Sequence, residues 1–531
     1  MILFLGNEES DMGKKKIVFI MTDSTRFDML GCYGNKDMIT PNLDKLASDG
    51  IRFNRAYSCQ PVCGPARSAI FTGMYPHSNG CWANGLPLYA NVRTVGQRLR
   101  DNGIETAYIG KWHLDGSDYF GSGICPDGWN ADYWYDMRTY LYEMGIRERV
   151  RSRQVQTAYE NGGITEDYTY GHKCTNKAID FLENFKDDSF FLTVSYDEPH
   201  HPFLCPEPFV SMYKEYGFPK APNIWDTLEG KPEYQKYWAG DAINWNRDDV
   251  DLNYALYLGC NSYIDYEIGR LLKAVEEHSP DALIVYTSDH GDMMQSHCLS
   301  SKSCAIYDEI TRVPLIVKGE NVPAGKVIEG PVSHVNITPT FLDFFGQKVL
   351  SPLAGESMME LICDPCKVHI ENPVFVAFGR YEILHDSMGG LQMMRAIFDG
   401  RYKLAIHFSD TDALYDLEKD PYEMNNIIED NSYSEIRNAL HDKILEKMNE
   451  TRDPCRGYQW AKRSFRQDYK PTYGYWQLDG LSRQINIEGY EPDQLEYWTG
   501  LEVSNQHQLP NIYNQEIIEK RITEQEKREI V

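Results

Sequence analysis

Four apolar runs in this chain each stop abruptly at a cluster of polar residues. Residues 16–21 run into Thr22-Asp23-Ser24, and 106–109 into Gly110-Lys111-Trp112-His113. Residues 190–195 run into Asp197-Glu198-Pro199-His200-His201, and 282–287 into Ser288-Asp289-His290-Gly291-Asp292. Short apolar runs that do not alternate with polar residues suit strands covered on both faces. Helical stretches lie between them. The clearest is 253–277, where Leu256, Ile264, Ile268, Leu271 and Leu272 recur at helical spacing. Strands alternating with helices predict an α/β fold around a large, mostly parallel (mixed) sheet, and 313–317 offers a fifth strand. Ligands of such sheets bind beyond the carboxyl ends of the strands. Any one polar cluster alone is an ordinary loop; four of them at four strand ends predict one shared site.

The character of the chain changes near residue 385, which sets expected domains of 14–385 and 386–531. The second reads as a smaller α+β unit. Residues 395–406 form a hairpin around Asp399-Gly400, 414–417 a strand, and 434–449 a helix. Residues 455–515 are rich in Tyr and Trp, and 516–531 form a charged helix or tail. Tyr473, Tyr475, Trp476, Tyr490 and Trp498 could stack on a sugar ring, fill a core, or pack against a second copy in a homo-oligomer.

With 531 residues the chain buries a large core. Its net charge of −26 excludes a partner with a nucleic-acid backbone. A small anionic substrate is still admitted, provided that local cations and a metal reverse the field inside a pocket. No run is long enough to span a bilayer. The apolar start at 1–5 is followed by Glu8, Glu9 and Asp11, which does not read as a signal peptide. With 13 scattered cysteines, the expectation is a reducing cytoplasm and mostly free thiols.

The sharpest local pattern is Gln60-Pro61-Val62-Cys63-Gly64-Pro65-Ala66-Arg67-Ser68-Ala69-Ile70-Phe71-Thr72-Gly73. Pro65 suits the first turn of a helix, where its missing N–H has no helical partner. Cys63 then faces the unpaired N–H groups and positive end of a helix, where anions bind. A small buried cysteine at a loop-to-helix junction is the plainer account of the same pattern. Asp23 and Asp289 could likewise be a helix cap and a surface turn, but together their hard oxygens suit Ca²⁺ or Mg²⁺.

Cys63-Gly64-Pro65-Ala66-Arg67 resembles the Cys-x-Pro-x-Arg signature of the type I sulfatases. The resemblance extends through residues 17–23, 41–47 and 72–77, and on to about residue 430 with Leu414-Tyr415-Asp416-Leu417 and the residues after it. It implies an alkaline-phosphatase-like fold and a hydrolase of sulfate esters. It also implies that a maturase oxidises Cys63 to 3-oxoalanine (formylglycine), whose hydrated aldehyde is the nucleophile. By the same resemblance Asp23, Cys63, Asp289 and His290 would bind a divalent ion, usually Ca²⁺, with Mg²⁺ or Mn²⁺ as alternatives. Many members carry two consecutive acids after the first strand, where this chain has Asp23-Ser24.

Gly110-Lys111-Trp112-His113 resembles the family's Gly-Lys-x-His segment. It assigns Lys111 to a sulfate oxygen and His113 to the hydrated aldehyde. Pro199-His200-His201-Pro202 resembles Pro-His-x-Pro and assigns His200 as proton donor to the leaving oxygen, ahead of His201. Lys302 is assigned to the bridging oxygen and sulfate, Arg67 to the deprotonated diol, and Asp289 to the role of base. The expected substrate is a small sulfated anion, with a sulfated sugar favoured over steroid or aryl sulfates. Two alternatives remain: a phosphonate monoester hydrolase or phosphodiesterase of the same superfamily, and a silent protein that binds metal or a sulfated ligand.

Overall fold

The run at 16–21 becomes β1 (Lys16–Thr22), an interior strand of an eight-stranded sheet. The computed structural model describes residues 14–159, 162–217, 221–245, 255–349, 353–365, 373–384, 390–466, 501 and 515–529. The other strands of this sheet are β2 (Ile51–Tyr57), β3 (Glu105–Gly110), β4 (Phe190–Ser195), β5 (Leu283–Ser288), β6 (Arg312–Lys318), β7 (Lys326–Ile328) and β8 (Val332–Ser333). Their order in space is β3-β4-β1-β5-β6-β2-β7, with β8 beside β2.

The four strands that end in polar clusters are neighbours and run parallel. Gly110 and Met21 both pair with Ser195, and Thr22 pairs with Ser288. The four carboxyl ends are therefore level, and the four clusters emerge along one edge. β6 runs antiparallel to both β5 and β2, which makes the sheet mixed.

Alternate residues of β1 serve opposite faces. Ile17, Phe19 and Met21 pack with Ile70, Phe71, Tyr108, Trp112, Trp129 and Phe341. Val18 and Ile20 pack with Tyr170, Phe181, Ile264 and Leu271 on the other side. The latter come from helices Tyr170–Phe185 and Ala255–His278. The helix expected at 253–277 is thus present; 253 and 254 lie outside the described residues.

β2 is missing from the expected strands because Arg52, Asn54 and Arg55 break its apolar run, and a bulge lies between Phe53 and Ala56. A second, four-stranded antiparallel sheet has the order β12-β11-β10-β9, from β9 (Val374–Arg380), β10 (Leu391–Phe398), β11 (Tyr402–His407) and β12 (Ala413–Asp416). β10 and β11 are the expected hairpin, with Gly400 at φ +107° in its connection.

Contacts divide the chain after Ile428, whereas the change in sequence character lay near 385. The difference has a packing cause. Val374, Phe378, Met394, Phe398 and Tyr415 share one core with Tyr57, Val62 and Met293, so the small sheet belongs with the large one. The second unit, 429–531, contains helices Ser434–Glu450 and Gln515–Glu529. Leu440, Ile444 and Met448 form the buried side of the first. Tyr473, Tyr475, Trp476, Tyr490 and Trp498 lie outside the described residues, as does the apolar start at 1–5. All twelve described cysteines are unbridged. Among the described residues no helix is long and apolar enough to cross a membrane.

Candidate active site

Helix Cys63–Thr72 begins at Cys63, and all ten of its residues are buried. Val62, the residue before it, is extended and offers no side-chain cap. The N–H of Gly64 donates instead to Asn84 Oδ1 at 2.9 Å, and Pro65 removes a further donor. Gly73 ends the helix in the left-handed conformation (φ 66°) that glycine adopts without strain. Tight packing thus fixes Cys63 at the carboxyl edge of the sheet.

Four groups that could ligate a cation meet there. One ligand atom from each of Asp23, Cys63, Asp289 and His290 lies within 4.8 Å of the others, and all four residues are buried. Cys63 Sγ is 3.1 Å from His290 Nε2 and 3.8 Å from Asp23 Oδ1. His290 Nδ1 lies 2.7 Å from the carbonyl of Gly291, which can only accept. The Nδ1 proton is therefore spent there, and the Nε2 lone pair points into the cluster, as a metal ligand requires. Burial raises Asp289 to about 7, helped by the Asp23 charge. His290 rises to about 8 because Asp289 and Cys63 outweigh its burial. Asp289 and His290 thus tend to hold protons, which a cation bound among these groups would displace.

Ser24, standing where a second acid was expected, acts differently. Its Oγ donates to Asp23 Oδ1 at 2.8 Å, and its N–H to Asp289 Oδ1 at 3.2 Å.

Cations surround the cluster. Lys111 Nζ lies 2.7 Å from Asp23 Oδ2 and 3.0 Å from Asp197 Oδ1. Burial would push the Cys63 thiol up, as would Asp23, but Lys302, Lys111 and His290 together hold it well below its ordinary value. Asp23 is likewise held low against burial by Lys111, His200, His290 and Arg67. His200 Nε2 is 2.9 Å from Lys302 Nζ. Burial and the charges of Lys302 and Lys111 lower the pKa of His200.

Arg67 and His113 have other neighbours. Arg67 does not spend its hydrogen bonds on residue 63. Nε donates to Asp289 Oδ2 at 2.9 Å, Nη2 to Asp23 Oδ2 at 3.1 Å, and Nη1 to the Lys111 carbonyl and Ser195 Oγ. It braces both carboxylates. His113 has φ 61°, its ring packs edge-on against Tyr119, and its buried Nδ1 has no hydrogen-bond partner among the described residues. Its carbonyl oxygen comes close to the start of the helix, at Gly64.

Lys302 reaches the site from a contorted loop. Met294, Gln295, His297, Cys298 and Ser301 all have positive φ. Asp226 ties this loop down: its Oδ2 accepts from His297 Nδ1 at 2.5 Å and its carbonyl from Cys298 Sγ at 2.9 Å, while Lys231 pairs with its carboxylate. Burial raises Asp226, but His297 and Lys231 reverse this and bring it down to about 2, from an ordinary 3.8. A carboxyl depressed in the fold stabilises above its unfolded pKa, and that stability is lost as pH falls through the folded value. Asp226→Asn should therefore remove on the order of 2 kcal/mol near neutral pH and flatten the loss between about pH 4 and pH 2. Denaturant unfolding at several pH values measures both.

Tyr119, Asp197 and Asn84 also belong to the site, and none was assigned a role from sequence. Asp197 stood in a flagged cluster. Tyr119 lies in a loop without periodicity that gives no signal.

A family profile described as Sulfatase matches residues 15–347, and one described as N-sulphoglucosamine sulphohydrolase, C-terminal, matches 297–450. The chain is 40% identical over 498 residues to the uncharacterized sulfatase YidJ of Escherichia coli (strain K12), covering 92% of this chain and 97% of that one. It is 25% identical to the N-acetylglucosamine-6-O-sulfatase of Bacteroides thetaiotaomicron, over 84% of this chain and 88% of that one. The solved phosphonate monoester hydrolase of Agrobacterium radiobacter shares the fold, with TM-score 0.70 and 24% identity over 82% of this chain and 96% of that one. The chain belongs to the sulfatase family and is a sulfuric ester hydrolase.

Proposed function

We propose that this sulfatase works through a formylglycine at position 63 and one divalent cation, on a small sulfated sugar. The convergence of Asp23, Cys63, Asp289 and His290 carries the reading. Two buried carboxylates and an imidazole nitrogen that faces them fit a divalent ion. A thiolate is the odd member of that set, because Ca²⁺, Mg²⁺ and Mn²⁺ prefer oxygen. Conversion of Cys63 by a maturase would replace the soft sulfur by oxygen and make the donors consistent. As formylglycine, residue 63 would offer a hydroxyl of its hydrated aldehyde as nucleophile; the cation would offset charge on that hydroxyl and on a sulfuryl oxygen.

The chain's own residues do the rest. Asp289 accepts the proton of the attacking hydroxyl. Lys111 and Lys302 face the sulfuryl oxygens and stabilise the charge that develops there. His200 and Lys302, 2.9 Å apart, hold the proton that the leaving alcohol needs. Arg67 keeps the two carboxylates in place. The sugar preference is supported by the N-acetylglucosamine-6-O-sulfatase among the relatives. Ca²⁺ is the ion the family resemblance favours, and the nitrogen donor of His290 argues for testing Mn²⁺ beside it.

The test is the mass of the peptide carrying residue 63, in protein made in its native host or alongside a maturase, together with rates on an aryl sulfate and the matching aryl phosphonate. An aldehyde at 63 and faster sulfate turnover are expected. A thiol in protein that nonetheless turns over sulfate would overturn the nucleophile. Faster phosphonate turnover would favour the phosphonate hydrolase reading.

A further inference from the structure

We propose that Tyr119, oriented by Asp197, is a positioning residue that fixes the His200 ring with Nε2 toward the leaving group. This rests on the reading of His200 and Lys302 as the source of the leaving-group proton.

The argument is a hydrogen count. A tyrosine hydroxyl has one proton and two lone pairs. The Tyr119 hydroxyl contacts the Asp197 carboxylate, which can only accept, so its proton goes there. Both lone pairs are then left for donors. Lys111 Nζ lies 2.9 Å away and His200 Nδ1 2.9 Å away, so the inventory closes with every position used. His200 Nδ1 is also 2.8 Å from the His201 carbonyl, a second group that can only accept. Nδ1 must therefore carry its hydrogen. In the neutral ring Nε2 is bare, and it accepts from the Lys302 ammonium.

Asp197 is 6% exposed and its Oδ1 also pairs with Lys111. Its other oxygen faces Arg153 Nη1 at 3.9 Å. Asp197 thus holds the hydroxyl proton in one direction and keeps Tyr119 an acceptor. If the proton pointed at His200 instead, Nδ1 would have to accept it, Nε2 would carry the hydrogen, and the contact to Lys302 would be donor against donor. Ring contact reinforces the geometry: the Tyr119 and His200 rings lie 5.1 Å apart with their planes tilted by 39°, and Lys111 Nζ is 4.0 Å from the Tyr119 centroid. In the reaction the S–O bond to the alcohol breaks with its electron pair on oxygen, and a proton from the Nε2–Nζ pair satisfies that oxygen. A ring free to flip would misplace Nε2 and slow this transfer alone.

That selectivity is the test. Protein made alongside a maturase is assayed with aryl sulfates whose phenols range from 4-nitrophenol, which leaves well as the anion, to 4-methoxyphenol, which needs a proton. Tyr119→Phe should lose roughly 10- to 100-fold in kcat on 4-methoxyphenyl sulfate and no more than about threefold on 4-nitrophenyl sulfate, with KM nearly unchanged. Equal losses on both esters, or no loss on either, would overturn the proposal. If Tyr119→Phe does not fold, Asp197→Asn takes its place. It keeps an acceptor oxygen but lets the amide turn, and the same split between esters is expected. A parent enzyme whose rates already fall steeply as the pKa of the leaving phenol rises would instead remove the underlying proton-donor reading.

Discussion

Cys63→Ala is expected to lower kcat on an aryl sulfate by about 10⁴-fold or more while leaving the protein folded. The size follows from removing a nucleophile on which the whole reaction depends, where losses on the order of 10⁴ to 10⁶ are usual. The preserved fold follows from what the side chain touches. Cys63 is 1% exposed, but it is unbridged, and its Sγ contacts lie within the cluster rather than the hydrophobic core. Losing one small buried group, thiol or hydrated aldehyde, from the first turn of a ten-residue helix should cost about 1 kcal/mol. Ala66 N still bonds Val62 O and Gly64 N still bonds Asn84, so the start of the helix stays formed. Steady-state kinetics beside thermal unfolding separate the two effects. A variant that turned over at the parent rate would show that residue 63 is not the nucleophile.

The positions of this site were more legible in sequence than the directions of its side chains. Asp23, Lys111, His200 and Asp289 follow four continuous apolar runs, and such runs become parallel neighbours whose ends fall level. Topology alone then brings the clusters together. β2 stayed hidden because it alternates and carries two arginines. Arg67 meets Asp289 and Asp23, neighbours that the motif did not give: a motif fixes where a guanidinium starts, and only packing decides which acceptors its fork meets. Tyr119 could not be found at all. It reaches His200 from 81 positions away in sequence, through a loop whose composition says only that it turns. Ser24 looked like a missing ligand, and its hydroxyl became a brace for Asp23.

Arg67→Ala should be the most damaging single change to the architecture of the site, costing about 3–5 kcal/mol and abolishing activity. Arg67 is fully buried, as are Asp23 and Asp289. Removing the guanidinium breaks two buried pairs at once, leaving Asp23 to Lys111 and taking the arginine partner of Asp289, and breaking a buried pair costs that much because the surviving charge has no water to turn to. It also removes the donor that ties the Lys111 carbonyl and Ser195 Oγ, just beyond β3 and at the end of β4, to this helix. Arg67→Lys separates charge from geometry. It keeps the positive charge, so it should recover much of the stability. One ammonium, however, cannot reproduce a planar fork that reaches Asp289 through Nε and Asp23 through Nη2. The carboxylates would then lose their fixed spacing, and with it the cation site. The lysine variant is therefore expected to unfold near the parent temperature, to bind the divalent ion about tenfold or more weakly, and to regain part of its activity at high metal concentration. Calorimetric titration with Ca²⁺ and Mn²⁺, beside unfolding curves, reads both quantities. Parent-like metal affinity in Arg67→Lys would mean that charge alone, and not the fork, organises the two acids.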